Sequence, residues 1–239
     1  MNTIRTRPVE VKDLDDLAAL ETRVWERRHT PILTREELES WYNEQSPYFI
    51  VAETPDGICG YYFGRQIAFS PDRLDAFLDP ALVTGRGISN HPHDPSQDSV
   101  YGISVVAEMP GAGVLLNDAV HELLEVMGIR YFVGFTRLSR LNAYLCHLEK
   151  DGPLPYDEDV IARWYAQESA TLLSMHRWEQ AKLLRRQLNL PRLRRPDPVL
   201  AFHVRGTTFG LLAVLPGYMH DPASRHYGAC IASSFPHRL

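Results

Sequence analysis

Apolar and polar positions follow two different periods along this chain, and the change between them is clearest from Ser99 to Phe135. Tyr101 to Val106 is a nearly unbroken apolar, β-branched run, the pattern of a buried strand. Pro110, Gly111, Ala112 and Gly113 then form a turn of very small residues. From Val114 to Met127 the apolar residues recur at helical spacing, with Leu115, Leu116, Ala119, Val120, Leu123 and Leu124 as the stripe. Gly128 ends that helix, and Tyr131 to Phe135 is a second buried-type strand. A glycine turn that opens a helix directly after a strand exposes backbone N–H groups to an anion. A pyrophosphate is held in this way.

The rest of the chain reads as strands and helices in mixed order. Thr3 to Val9 is a short strand, and Asp13 to Arg28 is a helix with Leu14, Leu17, Leu20, Val24 and Trp25 on one face. Thr34 followed by Glu37 is a capping box that starts a second helix. Tyr48 to Glu53 and Ile58 to Gln66 flank Thr54-Pro55-Asp56-Gly57 and form a hairpin. Ser70 to Asp98 is a long Pro-, Asp-, Gly- and His-rich connection, either with a short helix near Arg73 to Phe77 or open as a flap. Arg140 to Pro196 is helical in character, most strongly from Val160 to Asn189. Asp197-Pro198 opens a short helix through Arg205 that Gly206 closes. Thr207 to Leu215 and Tyr227 to Ser233 are the final strands, on either side of a loop from Pro216 to Arg225. This is an α/β pattern: a mixed sheet with helices on its faces.

Composition narrows the function classes. The 239 residues are 44% hydrophobic and 23% charged, as in an ordinary globular protein. A net charge of −5 gives no nucleic-acid signature. Cys59, Cys146 and Cys230 lie far apart with no CxxC pair, which predicts buried reduced thiols in a cytoplasmic protein and neither a disulfide framework nor a metal site. His91-Pro92-His93-Asp94 has chelate-like spacing but no partner cluster, and reads as a polar loop. The N-terminus has no apolar signal region, and no apolar run approaches the ~20 residues of a membrane span.

This element order, with a glycine turn after the fourth strand, resembles the GNAT acyltransferase superfamily. The family's acyl-CoA motif is Gln/Arg-x-x-Gly-x-Gly/Ala, and the matching window is Glu108-Met109-Pro110-Gly111-Ala112-Gly113. The resemblance implies a single domain over 1–239 with a central mixed twisted sheet and a helical insertion at 140–196. It further implies an acyl-CoA co-substrate, acetyl-CoA or malonyl-CoA, held by Val105, Val106, Gly111, Ala112, Gly113 and Val114. Glu108 stands where the family has Gln or Arg, and a carboxylate beside a pyrophosphate is unfavourable unless it points away. The late helix often ends Tyr-x-x-x-Gly-Phe in the family, and its Tyr protonates the departing thiolate. His203 falls near that position, one residue closer to the glycine.

Three further features look like the GNAT-like loading domains of polyketide synthases, which decarboxylate malonyl-CoA and have been credited with acyl transfer to a carrier-protein thiol. They are Trp25 in the first helix, Gly134-Phe135-Thr136-Arg137 at the end of the fifth strand, and Phe202-His203 followed by Leu215-Pro216-Gly217-Tyr218. In that family a Trp, a Thr, a His and an Arg line the acyl pocket. Trp25, Thr136 and His203 match, whereas Met219 stands where the arginine is expected. The implied catalytic set is therefore His203, Thr136 and Trp25, with an acyl carrier protein as the implied partner and no nucleic acid or membrane.

Each residue also has a plainer reading. Trp25 lies on the apolar stripe and suits core packing. Thr136 suits a strand end, and His203 suits a structural place on an amphipathic helix. Decarboxylation needs the developing enolate stabilised by hydrogen-bond donors, which Thr and His supply. Transfer to an amine needs a proton acceptor, for which Glu108 or His226 are candidates. Three readings stay open: a decarboxylating or S-acyl-transferring enzyme, an ordinary N-acetyltransferase, and a non-catalytic binding module. The arginines between Arg185 and Arg195 are a solvated face, a surface for an acidic carrier protein or a contact to the CoA 3′-phosphate, and Trp164 to Leu184 is a candidate interface or lid.

Overall fold

The computed structural model describes residues 3–26, 31–86, 88–177, 188–204 and 209–235. In chain order the strands and helices are β1 (Arg5–Pro8), α1 (Leu14–Trp25), α2 (Arg35–Asn43), β2 (Ile50–Thr54), β3 (Gly57–Ile67), α3 (Leu74–Phe77), β4 (Ser99–Ala107) and α4 (Ala112–Val126). There follow β5 (Tyr131–Arg137), α5 (Leu141–Leu148), α6 (Glu158–Leu172), β6 (His176–Arg177), α7 (Pro198–Val204), β7 (Gly210–Leu215) and β8 (Gly228–Ser234). The class is α/β with a mixed sheet, as expected. The chain divides into two units, 1–68 with 91–132 and 235–239, and 69–90 with 133–234.

In the first unit β1, β2, β3 and β4 are neighbours in that order, all antiparallel. The two faces of this sheet are covered differently because side chains alternate along a strand. Tyr61 and Phe63 project towards α1 and α2, where Phe63 stacks on Trp41 with ring centroids 4.3 Å apart. Tyr62 lies in the core on the α4 side, with Ala52, Leu116, Val120 and Leu124. The predicted capping box of α2 is present: the Glu37 N–H donates to Thr34 Oγ1, and the Thr34 N–H donates to the Glu37 carboxylate.

In the second unit the strand order is β5-β8-β7-β6. β7 is antiparallel to β8 and parallel to β6. α6 packs on β7 and buries Ile161, Trp164, Tyr165 and Ala166. This corrects the sequence-based picture of the insertion. Its strongest helix ends at Leu172, β6 follows at His176–Arg177, and Trp164 is core rather than an exposed interface or lid. The part of that prediction beyond Arg177, up to 187, lies outside the described residues. The short helix expected near Arg73 to Phe77 is present as α3. Phe77 and Tyr218 both stack on Phe135, with centroids 6.4 and 4.5 Å away. Gly228 lies against Tyr218, where a Cβ would overlap the ring. Cys59 and Cys230 are buried as expected, while Cys146 on α5 is exposed.

Candidate functional site

The first unit carries the glycine turn. Gly111 has φ 92°, a left-handed backbone that suits glycine, and a Cβ there would meet open space. It is the N-cap residue of α4, and no side chain caps that end of the helix. Ala112 bonds back to the Met109 carbonyl at 3.2 Å, while Gly113 and Val114 have no acceptor within the helix. The helix dipole adds positive potential at the same point. Val105 and Val106 lie just upstream on β4; Val106 is buried and Val105 partly so. The turn thus has the form of an anion cradle built on a rigid strand and helix.

Glu108 does not leave this cradle with an uncompensated negative charge. Arg23 on α1 grips its carboxylate through Nε and Nη2, at 3.0 Å for the shortest contact. The pair is half-exposed on both sides. The sequence alone does not reveal this pair, because Arg23 and Glu108 are 85 positions apart.

A second carboxylate in this unit lies inside it. Glu21, on the buried stripe of α1, is 2% exposed. It accepts the Tyr61 hydroxyl at 2.6 Å, the Leu33 N–H at 3.1 Å and a hydrogen bond from Trp25. Burial raises its carboxyl above the ordinary value of 4.5, and these three donors oppose the rise. Trp25 itself is partly buried, with its indole engaged by Glu21.

The second unit carries Thr136 and His203. Thr136, near the end of β5, is 2% exposed, and its hydroxyl makes one long bond, 3.4 Å to the Arg137 carbonyl. Arg137 forms a forked pair with buried Asp221 at 2.8 and 3.2 Å, which ties the end of β5 to the loop after β7. His203 is in the last turn of α7 and partly buried. Burial pushes its imidazole down from 6.5 to about 4, so it is neutral near pH 7 and offers one N–H donor.

Asp197 connects these two elements. It is fully buried at the head of α7 and accepts the Val199 and Leu200 N–H groups at 3.0 and 3.3 Å. The same carboxylate accepts the Ser139 hydroxyl at 3.2 Å, the Arg140 N–H at 2.9 Å and the Tyr165 hydroxyl at 3.2 Å. Ser139 and Arg140 follow Thr136 within one turn of chain. A single side chain therefore positions both the segment after Thr136 and the helix of His203.

The neutral His203 has a measurable consequence. Its folded-state affinity for a proton is below that of the unfolded chain, so its stabilising contribution is present above about 6.5 and is lost as pH falls towards about 4. Urea unfolding of the His203→Gln variant should lose less stability than wild type between pH ~7 and ~5. Equal losses in the two proteins would contradict a buried neutral imidazole.

Of the remaining candidates, Met219 pairs with Arg86 in an isolated antiparallel bridge, reinforced by His220 N–H donating to the Gly85 carbonyl at 2.8 Å. Directly opposed residues project to the same side. The long connection after β3 thus brings an arginine beside the position where the resemblance expected one. His226 Nδ1 accepts the Asp221 N–H at 3.1 Å, and its ring stacks on His220. His91 is buried against Tyr101, its carbonyl accepting from Arg65, and Asp94 binds Ser96 and Gln97 within its own turn. Arg192, Arg194 and Arg195 are exposed, and Arg185 and Arg186 lie outside the described residues. Among the described residues no group of three or more His, Cys, Asp or Glu could hold a metal, and no helix is long and apolar enough to cross a membrane.

Sequence reasoning missed Glu21 and Arg23, and read Asp197 only as the opening of a helix. Local signals existed for Glu21 and Asp197. Glu21 interrupts an apolar helical stripe between Leu17 and Val24, and Asp-Pro is a helix-opening pair whose Asp is an N-cap.

No protein-family model matches the chain, and no curated protein matches it in sequence. Solved structures do match. The GphF GNAT-like decarboxylase in complex with isobutyryl-CoA superposes with TM-score 0.61 at 20% identity, over 96% of this chain and 98% of that one. The loading GNATL domain of CurA from Lyngbya majuscula gives 0.56 at 20% identity, over 99% and 100% of the two chains. Ribosomal-protein-alanine N-acetyltransferase from Brucella melitensis gives 0.50 at 11% identity, over 97% and 99%. The element order, the glycine turn that opens α4 and these near-complete superpositions show that the chain has the GNAT acyltransferase fold.

Proposed function

We propose that this protein is an acyl-CoA-dependent acyltransferase that decarboxylates a malonyl-type thioester, passes an acyl group to a carrier-protein thiol, or does both. The observation that carries this reading is the tie through Asp197 between the Thr136 segment and the His203 helix. Two neutral donors held in this way suit an enolate oxygen better than they suit acid–base work. The N-terminus of α4, with the N–H groups of Gly113 and Val114 and with Val105 and Val106 just upstream, suits a CoA pyrophosphate.

In decarboxylation the C–C bond to the carboxylate breaks and CO2 leaves. The electron pair moves to the thioester oxygen, where the Thr136 hydroxyl and the His203 N–H donate hydrogen bonds. The enolate carbon then takes a proton from water and yields the acetyl thioester. No base is consumed. Arg86, opposite Met219, is the cation nearest in register to the expected arginine position, and in this reading it faces the substrate carboxylate.

An ordinary N-acetyltransferase is the second reading, favoured by Met219 itself. Incubation with malonyl-CoA, followed by mass spectrometry for acetyl-CoA, separates the two. Acetyl-CoA formation is expected. No turnover, with acetyl transfer to small amines instead, would overturn the decarboxylase reading.

Glu108 in the place of Gln or Arg is what favours the non-catalytic reading, and the Arg23 pair weakens that case. Calorimetry with CoA should show binding. Glu108→Gln should tighten it by about two- to fivefold and Arg23→Ala weaken it by a similar factor, the scale of a half-exposed charge contact. Absence of binding to CoA, acetyl-CoA and malonyl-CoA would leave only a scaffold role.

A further inference from the structure

Within the proposed acyltransferase reading, we infer that Glu21 is the proton acceptor for an attacking nucleophile, reached from β4 through the hydroxyls of Ser104 and Tyr61. Three observations carry this. Glu21 is a buried carboxylate, and a buried charge is a poor way to stabilise a helix–sheet contact that an apolar side chain would fill as well. The second is direction. Tyr61 has one hydroxyl proton and gives it to Glu21 Oε1 at 2.6 Å, so the contact of 3.3 Å between Tyr61 and Ser104 is a bond donated by Ser104. Both hydroxyl protons therefore point towards the carboxylate. The third is the outlet. Tyr61 is fully buried, whereas Ser104 is partly exposed, one residue before Val105 on the strand that leads to the glycine turn.

The chemistry fits acyl transfer and not decarboxylation, which needs no base. An amine or thiol attacks the thioester carbon, and its N–H or S–H proton passes to Ser104 Oγ. Ser104 gives its own proton to the Tyr61 oxygen, and Tyr61 gives its own to Glu21. The new C–N or C–S bond forms, the bond to the CoA sulfur breaks with its electron pair, and the thiolate is protonated by water. Both hydroxyls end neutral and Glu21 ends as a carboxylic acid. The groups facing Glu21 are Tyr61 from β3, the Leu33 N–H, Trp25 on its own helix and the Glu37 charge from α2. Burial and Glu37 make it more basic than a surface glutamate, which suits a proton acceptor.

The test uses the full chain with acetyl-CoA and two acceptors, pantetheine as a thiol and ethylamine as an amine. Glu21→Gln and Ser104→Ala should each lower kcat by about 10- to 100-fold and leave the KM for acetyl-CoA within about twofold. Ser104→Thr, which keeps the hydroxyl, should restore most of the rate. The wild-type kcat should fall on the acid side as Glu21 takes up a proton, and Glu21→Gln should lose that limb. If Glu21→Gln fails to fold, Ser104→Ala at its partly exposed position decides alone. Wild-type rates in Ser104→Ala would overturn the inference, as would an unchanged acid limb in folded Glu21→Gln. So would CoA binding without transfer to either acceptor. Absence of acyl-CoA binding would instead overturn the acyltransferase reading on which the inference rests.

Discussion

Replacing Asp197 with alanine should lower the free energy of unfolding by about 3–5 kcal/mol. The carboxylate is fully buried and holds groups from three places in the second unit. These are the Ser139–Arg140 segment, Tyr165 of α6 and the first turn of α7. Removing it strands the buried Tyr165 hydroxyl away from water, at ~1–3 kcal/mol, and takes the acceptors from the Ser139 hydroxyl and the Arg140 N–H. It also removes an N-cap, worth about 1 kcal/mol. Asp197→Asn keeps one acceptor oxygen and should cost about 1–2 kcal/mol. Urea unfolding of the purified variants measures both. A loss below about 1 kcal/mol for Asp197→Ala would mean that the neighbouring groups find other partners.

The second large effect concerns turnover. On the proposed reading, His203→Ala and Thr136→Ala should each slow malonyl-CoA decarboxylation by about one to three orders of magnitude, the usual cost of removing one preorganised donor to an oxyanion. Thr136→Val separates chemistry from packing. It keeps the volume of a buried side chain and removes only a hydroxyl whose bond to the Arg137 carbonyl is long. A rate drop in Thr136→Val with unchanged stability would place the effect on the hydroxyl. Wild-type rates in both His203→Ala and Thr136→Val would remove these residues from the chemistry. The burial that holds His203 neutral predicts that it keeps a single N–H donor across physiological pH and takes up a second proton only near pH ~4.

The legible parts of this molecule are those encoded by neighbours in the chain. The strand, glycine turn and helix from Ser99 to Val126 were readable because each signal is local: a β-branched run, a turn of very small residues and an apolar stripe. The Thr34–Glu37 box and the Asp197-Pro198 helix start are local in the same sense. Misreadings occur where partners are distant. Trp164 read as part of a candidate interface or lid, whereas α6 packs on β7 and buries it. The helical character expected past Leu172 gives way to β6 at His176–Arg177, where pairing with Gly210 and Leu211 of β7 outweighs helical propensity.

The sequence by itself determined the α/β class, the position of the glycine turn and the identity of the candidate donors, because periodicity and turn chemistry act over a few residues. Only the tertiary structure decided how charges are paired and which polar groups are buried. Glu108 looked misplaced in a phosphate motif until Arg23 was found on its carboxylate. Glu21 interrupts the apolar stripe of α1, and only the fold places Tyr61 and Ser104 in line with it. The physical reason is the same in both cases. The state of a carboxylate depends on burial and on donors within about 3 Å, and folding brings those donors from other strands and helices.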